Sequence, residues 1–273
     1  MKRDWTQPAS EALVEYQAQG GVALIRLQDP PANAYSYPMF RQIDDAILRA
    51  RFDPEVHVIV LTGAGEKMFC AGANIEMLKE VDPYFKYNFC LHANETLLRL
   101  ENTPKLVIAA LNGHCVGGGL EIALAADLRI ARKGGGKIGL PEVALGVLPG
   151  TGGTQRLGRL LGKSRALELM VEGNVMSFEE AKEIGLVNRL VEAESAEAFL
   201  EEVLTYARRF VPPGRAAKAV GAIKRAVHTG VEMSLEAGLA IERELQQQLF
   251  QSEAAREGFA AFLEKRKPAF QGR

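Results

Sequence analysis

The sequence predicts an α/β fold of parallel βαβ units followed by an all-helical C-terminal region. Two observations predict the first part. Short apolar runs such as Val22–Leu27 and Leu106–Leu111 lack polar alternation, as parallel strands covered on both faces do. Segments of helical spacing alternate with them, which argues for right-handed crossovers. A third observation predicts the second part: from Ser195 onward every periodic stretch is helical.

Each element follows in order. Val22–Leu27 reads as a strand and ends in a Pro/Asn turn over Asp29–Asn33. Met39–Phe52 reads as a helix, because Phe40, Ile43, Ile47 and Ala50 fall on one side. Val56–Leu61 is a second strand, closed by Thr62-Gly63-Ala64-Gly65. Pro83–Leu100 is a long helix with Phe85, Phe89, Leu97 and Leu100 as core positions. Leu106–Leu111 is a third strand, Gly117–Ala126 a short helix and Asp127–Ala131 a fourth strand. Gly162–Val171 is helical, Ser177-Phe178-Glu179-Glu180 has the spacing of a capping box, and Leu186–Val191 is a last short strand. Helices are expected over Ser195–Phe210, Gly214–His228, Met233–Gln251 and Glu253–Lys267. The apolar stripe within Glu232–Phe250 needs a partner surface, either the body or another subunit. The expected division is residues 1–194 as an α/β body and 195–273 as the helical region.

Composition narrows the function classes. The 273 residues are 47% hydrophobic and 25% charged, with a net charge of -1. A nucleic-acid binder usually carries a strongly basic face, so no nucleic-acid partner is expected. The apolar runs are too short to span a bilayer, so no membrane partner is expected. Three cysteines, Cys70, Cys90 and Cys115, form no CxxC pair. With no apolar leader after Met1-Lys2-Arg3, they point to a reducing, cytoplasmic setting.

Chemistry concentrates at three glycine-rich points. The strand Leu106–Leu111 runs through Asn112-Gly113-His114-Cys115-Val116-Gly117-Gly118-Gly119 into a helix carrying Glu121. Free N–H groups at a helix start can hold an anion or an oxyanion. There is no GxxxxGK[ST] or GxGxxG for a nucleotide phosphate. With a carboxylate one turn on, an oxyanion hole for a carbonyl fits better. Phe69-Cys70-Ala71-Gly72-Ala73-Asn74-Ile75 repeats this logic after the second strand. Either loop alone could be an ordinary βα turn; one N–H from each would polarise one carbonyl oxygen. The third point is Ile138-Gly139-Leu140-Pro141-Glu142. Its carboxylate sits in a Pro/Gly-shaped apolar setting that could raise its pKa, or is simply a first-turn glutamate.

Other residues read as structural. Cys70 and Cys115 are small buried hydrophobes, because His114 and Cys115 point to opposite sides of an extended segment. His57, His92 and His228 lack ligand spacing, and no metal site is expected. Phe85, Tyr87 and Phe89 read as core or acyl-pocket lining, Arg156 as a capping or pairing residue, and the charged stretch from Arg256 to Arg273 as a solvated helix face.

Taken in order, five segments resemble the enoyl-CoA hydratase/isomerase (crotonase) superfamily. They are residues 69–75, residues 112–121, Pro141-Glu142-Val143-Ala144-Leu145-Gly146, Pro149-Gly150-Thr151-Gly152-Gly153-Thr154-Gln155-Arg156-Leu157, and residues 257–268. The resemblance spans essentially the whole chain. It implies a crotonase (ClpP/crotonase-like) spiral of ββα units with a helical C-terminal region for oligomerisation and closure of the CoA pocket, assembled as a homotrimer or homohexamer. It implies that the backbone N–H groups of Ala73 and Gly118 form the oxyanion hole of an acyl-CoA thioester. It also implies that Glu121 is the base on water and that Glu142 delivers the proton to C2. Ala71, Asn74, Ile75, Glu76 and Gly117 join Ala73 and Gly118 as substrate or CoA contacts. Asn74 stands where the family often has Asp, and residues 29–37 lack a basic residue that relatives place near the CoA phosphates. Arg26, or a tail lysine such as Lys265 or Lys267, is the candidate substitute. The implied activity is enoyl-CoA hydration, reversible, with no cofactor beyond the coenzyme A of the substrate. The alternatives are a double-bond isomerase or another acyl-CoA lyase or hydrolase; a non-enzymatic scaffold is disfavoured by the two intact glutamates.

Overall fold

The computed structural model describes residues 4–271. The opening Met1-Lys2-Arg3 of the predicted body and the closing Gly272-Arg273 of the charged tail lie outside the described residues. In chain order the elements are β1 (Val14–Gln19), β2 (Val22–Leu27), α1 (Tyr37–Phe52), β3 (Val58–Gly63), β4 (Met68–Cys70), α2 (Ile75–Glu80) and α3 (Pro83–Glu101). Next come β5 (Leu106–Leu111), β6 (His114–Val116), α4 (Gly118–Leu124), β7 (Leu128–Arg132), β8 (Lys137–Gly139) and a 3-10 turn over Glu142–Leu145. Then follow α5 (Gly153–Leu161), α6 (Lys163–Glu172), β9 (Val175–Ser177), α7 (Phe178–Glu183) and β10 (Arg189–Val191). Four helices close the chain: α8 (Ala196–Arg208), α9 (Ala217–Gly230), α10 (Leu235–Phe250) and α11 (Glu253–Leu263).

Two sheets share the strands. The larger has the order β1-β2-β3-β5-β7-β10, and the smaller β4-β6-β8-β9. Three successive strands of the larger sheet, β3, β5 and β7, are each followed at once by a short strand of the smaller one. This stepping from sheet to sheet and then into a helix or turn is the ββα repeat. Pairing in the large sheet is parallel except for β1 on β2.

Alternate side chains of the large sheet feed two cores. Ile25, Leu27, Ile59, Leu61, Val107 and Leu111 face the small sheet and α1. Val22, Leu24, Val58, Val60, Ile108 and Ile130 face Phe199, Leu200 and Val203 of α8. Both faces are covered, which is why these strands read as unbroken apolar runs. α8 is therefore a layer on the sheet. α9 is tied to the body by Lys224, whose Nζ lies 2.9 Å from Asp127.

The sequence reading needs three corrections here. It lacks β1, which pairs with β2 across Gly20-Gly21, both at positive φ; a Gly-Gly pair between two strands is a hairpin signal. It lacks the entire small sheet, whose strands have three residues each and show too little period to be seen. Tyr87 is exposed rather than core, whereas Phe89 is buried among Tyr35, Tyr37 and Phe40. The capping box at Ser177 and Glu180 forms as expected.

Candidate active site

The site is built where the short strands end. After β4 the chain lies along Tyr35: the Tyr35 N–H donates to the Gly72 carbonyl at 2.9 Å, and the Asn74 N–H donates to the Tyr35 carbonyl at 2.8 Å. The Ala71 N–H donates to the Ala32 carbonyl at 3.0 Å. These bonds grip the residues on either side of Ala73. Its own N–H bonds to nothing among the described residues. Asn33, fully buried, holds the base of the loop by donating to the Ala64 and Met68 carbonyls at 2.9 and 3.0 Å.

After β6 the chain turns through Gly117, at φ 56 and ψ −134, which only glycine adopts readily. The Gly117 N–H donates to the Gly139 carbonyl at 2.9 Å. The Gly118 N–H, first in α4, has no bond among the described residues. The two loops abut, since a Cβ on Gly72 would lie 2.9 Å from the Gly118 nitrogen. Two unbonded backbone donors thus border one cavity.

That cavity measures about 620 Å³ and is lined by Ala71, Ala73, Gly117, Gly118, Glu121 and Glu142. Ile75, Leu78, Val81, Leu145, Val147 and Leu148 form its apolar wall. A few polar groups converging in an apolar cavity of this size is the usual form of a ligand site.

The two carboxylates have different surroundings. Glu121 is 1% exposed, and its Oε1 accepts from the N–H groups of Thr151 and Gly153, both at 2.7 Å. Burial raises its pKa above the usual carboxylate range, and the two N–H bonds oppose that rise. Glu142 opens the 3-10 turn, so the first-turn position weighed for it is also correct. Burial pushes its pKa up to about 7, with the charge of Glu121 adding to the rise. Its Oε2 is buried and accepts no hydrogen bond among the described residues. Lys86, on α3, lines the same cavity and pulls both carboxyls down by its charge. The arrangement can polarise a carbonyl oxygen and move a proton between two carboxyls of unlike environment.

The fold therefore brings together Ala71, Ala73, Ile75, Gly117, Gly118, Glu121 and Glu142. Five candidates stand apart from the cavity wall. Asn74 turns away and caps α2, accepting from the Met77 N–H at 2.9 Å. Glu76 is exposed on the first turn of that helix. Arg26 lies on β2 with its guanidinium 3.7 Å from Glu15, held there by strand alternation. Lys265 and Lys267 are exposed beyond α11. Tyr35, Lys86 and Thr151 also line the cavity; the sequence reading gave none of them a role, although Thr151 lies in the segment 149–157 that carries the resemblance.

Cys70 and Cys115 are the small buried residues expected, and neither thiol is set up as a nucleophile. Cys115 is buried and its thiol pKa is raised well above normal by burial, while His114 Nδ1 accepts from the Lys137 N–H at 3.0 Å. Burial pushes the Cys70 thiol up to about 12. Arg156 pairs as expected, with Glu101, through bonds of 2.6 and 2.7 Å. Among the described residues no three His, Cys, Asp or Glu side chains converge as metal ligands, and no helix is long and apolar enough to cross a membrane.

Residues 17–273 match the family model described as enoyl-CoA hydratase/isomerase. The short-chain-enoyl-CoA hydratase of Clostridium acetobutylicum is 38% identical over 252 residues, 92% of this chain and 94% of that protein. The crotonyl-CoA hydratase of Syntrophomonas wolfei is 37% identical over 91% of this chain and 94% of its own length. The solved structure of an enoyl-CoA hydratase from Bacillus anthracis superposes with a TM-score of 0.89, at 33% identity, covering 96% of this chain and all of that one (100%).

Proposed function

This chain belongs to the enoyl-CoA hydratase/isomerase family, and from that premise we infer that it is an enoyl-CoA hydratase, adding water reversibly to a 2-enoyl-CoA thioester. The observation that carries the reading is that Glu121 and Glu142 face one cavity with the unbonded N–H groups of Ala73 and Gly118.

The thioester oxygen is placed on the N–H groups of Ala73 and Gly118. Glu121 takes a proton from water as the oxygen of that water bonds to C3. The electron pair of the double bond moves onto the thioester oxygen as an enolate, which the two donors stabilise; losing one such donor typically costs about 3–4 kcal/mol of barrier. As the enolate collapses, Glu142 gives its proton to C2 on the same face. Proton exchange with solvent then restores Glu121 as carboxylate and Glu142 as acid.

The surroundings of the two groups support this division. A carboxyl with a pKa of about 7 is half protonated near neutral pH, as a general acid should be. Two N–H donors on Glu121 favour its ionised form, as a base requires. The proposed reaction uses no cofactor beyond the coenzyme A that the substrate carries.

The same reading extends to assembly. Phe259, Phe262 and Leu263 of α11, with Ile223 and Val227 of α9, are exposed apolar residues. They support a homotrimer or homohexamer formed through the helical region of residues 195–273, with closure of the CoA pocket as its second role. Three free cysteines support a reducing, cytoplasmic setting.

The test is loss of enoyl-thioester absorbance with crotonyl-CoA and with branched and cyclic enoyl-CoAs. It compares the wild type with Glu121→Ala and Glu142→Ala. Both variants should lose hydration. If both keep full rates, the two-carboxylate reading is wrong; an isomerase would tolerate the first exchange and not the second.

A further inference from the structure

Tyr35 contacts both oxyanion loops and the loop that holds Glu121. Its backbone is bonded to Gly72 and Asn74, on either side of the Ala73 donor. A Cβ on Gly118 would overlap its hydroxyl oxygen, so the phenol packs against the Cα of the residue that carries the second donor. That hydroxyl is 3.2 Å from Thr151 Oγ1. Thr151 in turn holds Glu121, its N–H donating to Oε1 at 2.7 Å.

We propose that Tyr35 is a positioning residue for hydration, its hydroxyl anchoring Thr151 so that Thr151 keeps Glu121 ionised and aimed into the cavity. The proposal rests on Glu121 being the base. The hydroxyl–hydroxyl contact fixes Thr151, and the backbone N–H of the same residue donates to Glu121 Oε1 at 2.7 Å, so the anchor on the side chain aims the donor on the backbone. Both residues are buried, Tyr35 being 2% and Thr151 3% exposed. In such surroundings a donor to a buried carboxylate matters more than it would in water.

The phenol is fit for this duty. Burial first, and the charge of Glu121 second, hold its pKa well above the usual value, so it stays protonated at neutral pH. Its ring is fixed by an edge contact with Phe40, 4.7 Å between centroids, and by Phe89 at 6.0 Å. The thiols of Cys70 and Cys90 also face it. The charged groups bearing on Glu121 from neighbouring elements are Glu142 on the 3-10 turn and Lys86 on α3.

The test is the pH profile of crotonyl-CoA hydration by Tyr35→Phe, Thr151→Val, Thr151→Ser and Tyr35→Phe/Thr151→Val, with Glu121→Gln as reference and melting temperature as a check on folding. Tyr35→Phe keeps the ring. Its kcat should fall about three- to tenfold, with KM changed less than about twofold. Loosening the Thr151 N–H from the ionised form raises the pKa of Glu121. The acidic limb of kcat should therefore move up by roughly half a unit. Thr151→Val should do the same or more, Thr151→Ser should match the wild type, and the double variant should be no worse than Thr151→Val alone. A Tyr35→Phe enzyme with the wild-type kcat and profile overturns the proposal. So do additive losses in the double variant, because the hydroxyl would then act other than through Thr151. Full activity of Glu121→Gln would instead overturn the base reading on which the proposal rests.

Discussion

The hydroxyl oxygen of Tyr35 occupies the space that a Cβ on Gly118 would need. One residue thereby bars any side chain from the position whose N–H borders the cavity. Gly118→Ala must push the ring or the loop aside. Overpacking of this kind costs about 1–3 kcal/mol of stability. Displacing a donor by even a fraction of an ångström from the thioester oxygen should lower kcat at least about 100-fold. Thermal melting and hydration rates check both; a rate near wild type would mean that the Gly118 donor is not used.

Glu142 sets a pH window. Its pKa is raised from 4.5 to about 7, so the folded state favours the protonated form. As the proposed acid, it should make hydration decline as pH rises through about 7, and Glu142→Gln should abolish that limb together with most of the activity. Stability carries the same sign. A raised folded pKa contributes stability that is complete below the unfolded value and is lost as pH rises through the folded one. Glu142→Gln should therefore stabilise the protein at pH 8 relative to pH 5, compared with the wild type. Melting temperatures across that range measure it, and parallel curves for both proteins would contradict it.

Arg156 ties the loop that carries Thr151 to α3. It makes two bonds to Glu101 and donates to the Thr151 carbonyl at 3.1 Å, and both side chains of the pair are little exposed. Removing one partner of a buried pair leaves the other uncompensated, at about 3–5 kcal/mol. Arg156→Ala should lose stability in that range and also lose kcat, because the N–H groups of Thr151 and Gly153 shift away from Glu121. Arg156→Lys should rescue little, since an ammonium cannot make the two-pronged contact. Denaturant melts and kcat provide the check.

The outward apolar face of α9 and α11 predicts assembly. Phe262 is 83% exposed and Phe259 56%, more apolar surface than a monomer comfortably leaves in water. Light scattering should find a trimer or hexamer, and Phe262→Glu should shift it to smaller species. A monomeric wild type at micromolar concentration would refute the assembly.

Much of the body was legible one element at a time. The strands β2, β5 and β7 and the helices α1, α3 and α8 announce themselves by period and by apolar runs; β2 and β5 have the expected ends, and the ends of the others lie within two residues of those expected. Boundaries blur because a residue such as Val56 is buried without being in the strand that starts at Val58. The small sheet was not legible, because strands of three residues are stabilised by partners far along the chain.

The sequence by itself determined the chemistry on offer: two carboxylates, two glycine-rich turns leading into helices, and an α/β scaffold to carry them. Those properties are local, set by side-chain type and by the backbone freedom of glycine. Only the tertiary structure decided which groups meet. It sends Asn74 to a helix cap and Arg26 to Glu15, brings Lys86 into the cavity wall, and joins Tyr35 to Thr151 across 116 positions of sequence. It also sets the two glutamates apart, since burial and neighbouring charge, which push Glu142 up to about 7, exist only once the chain is packed.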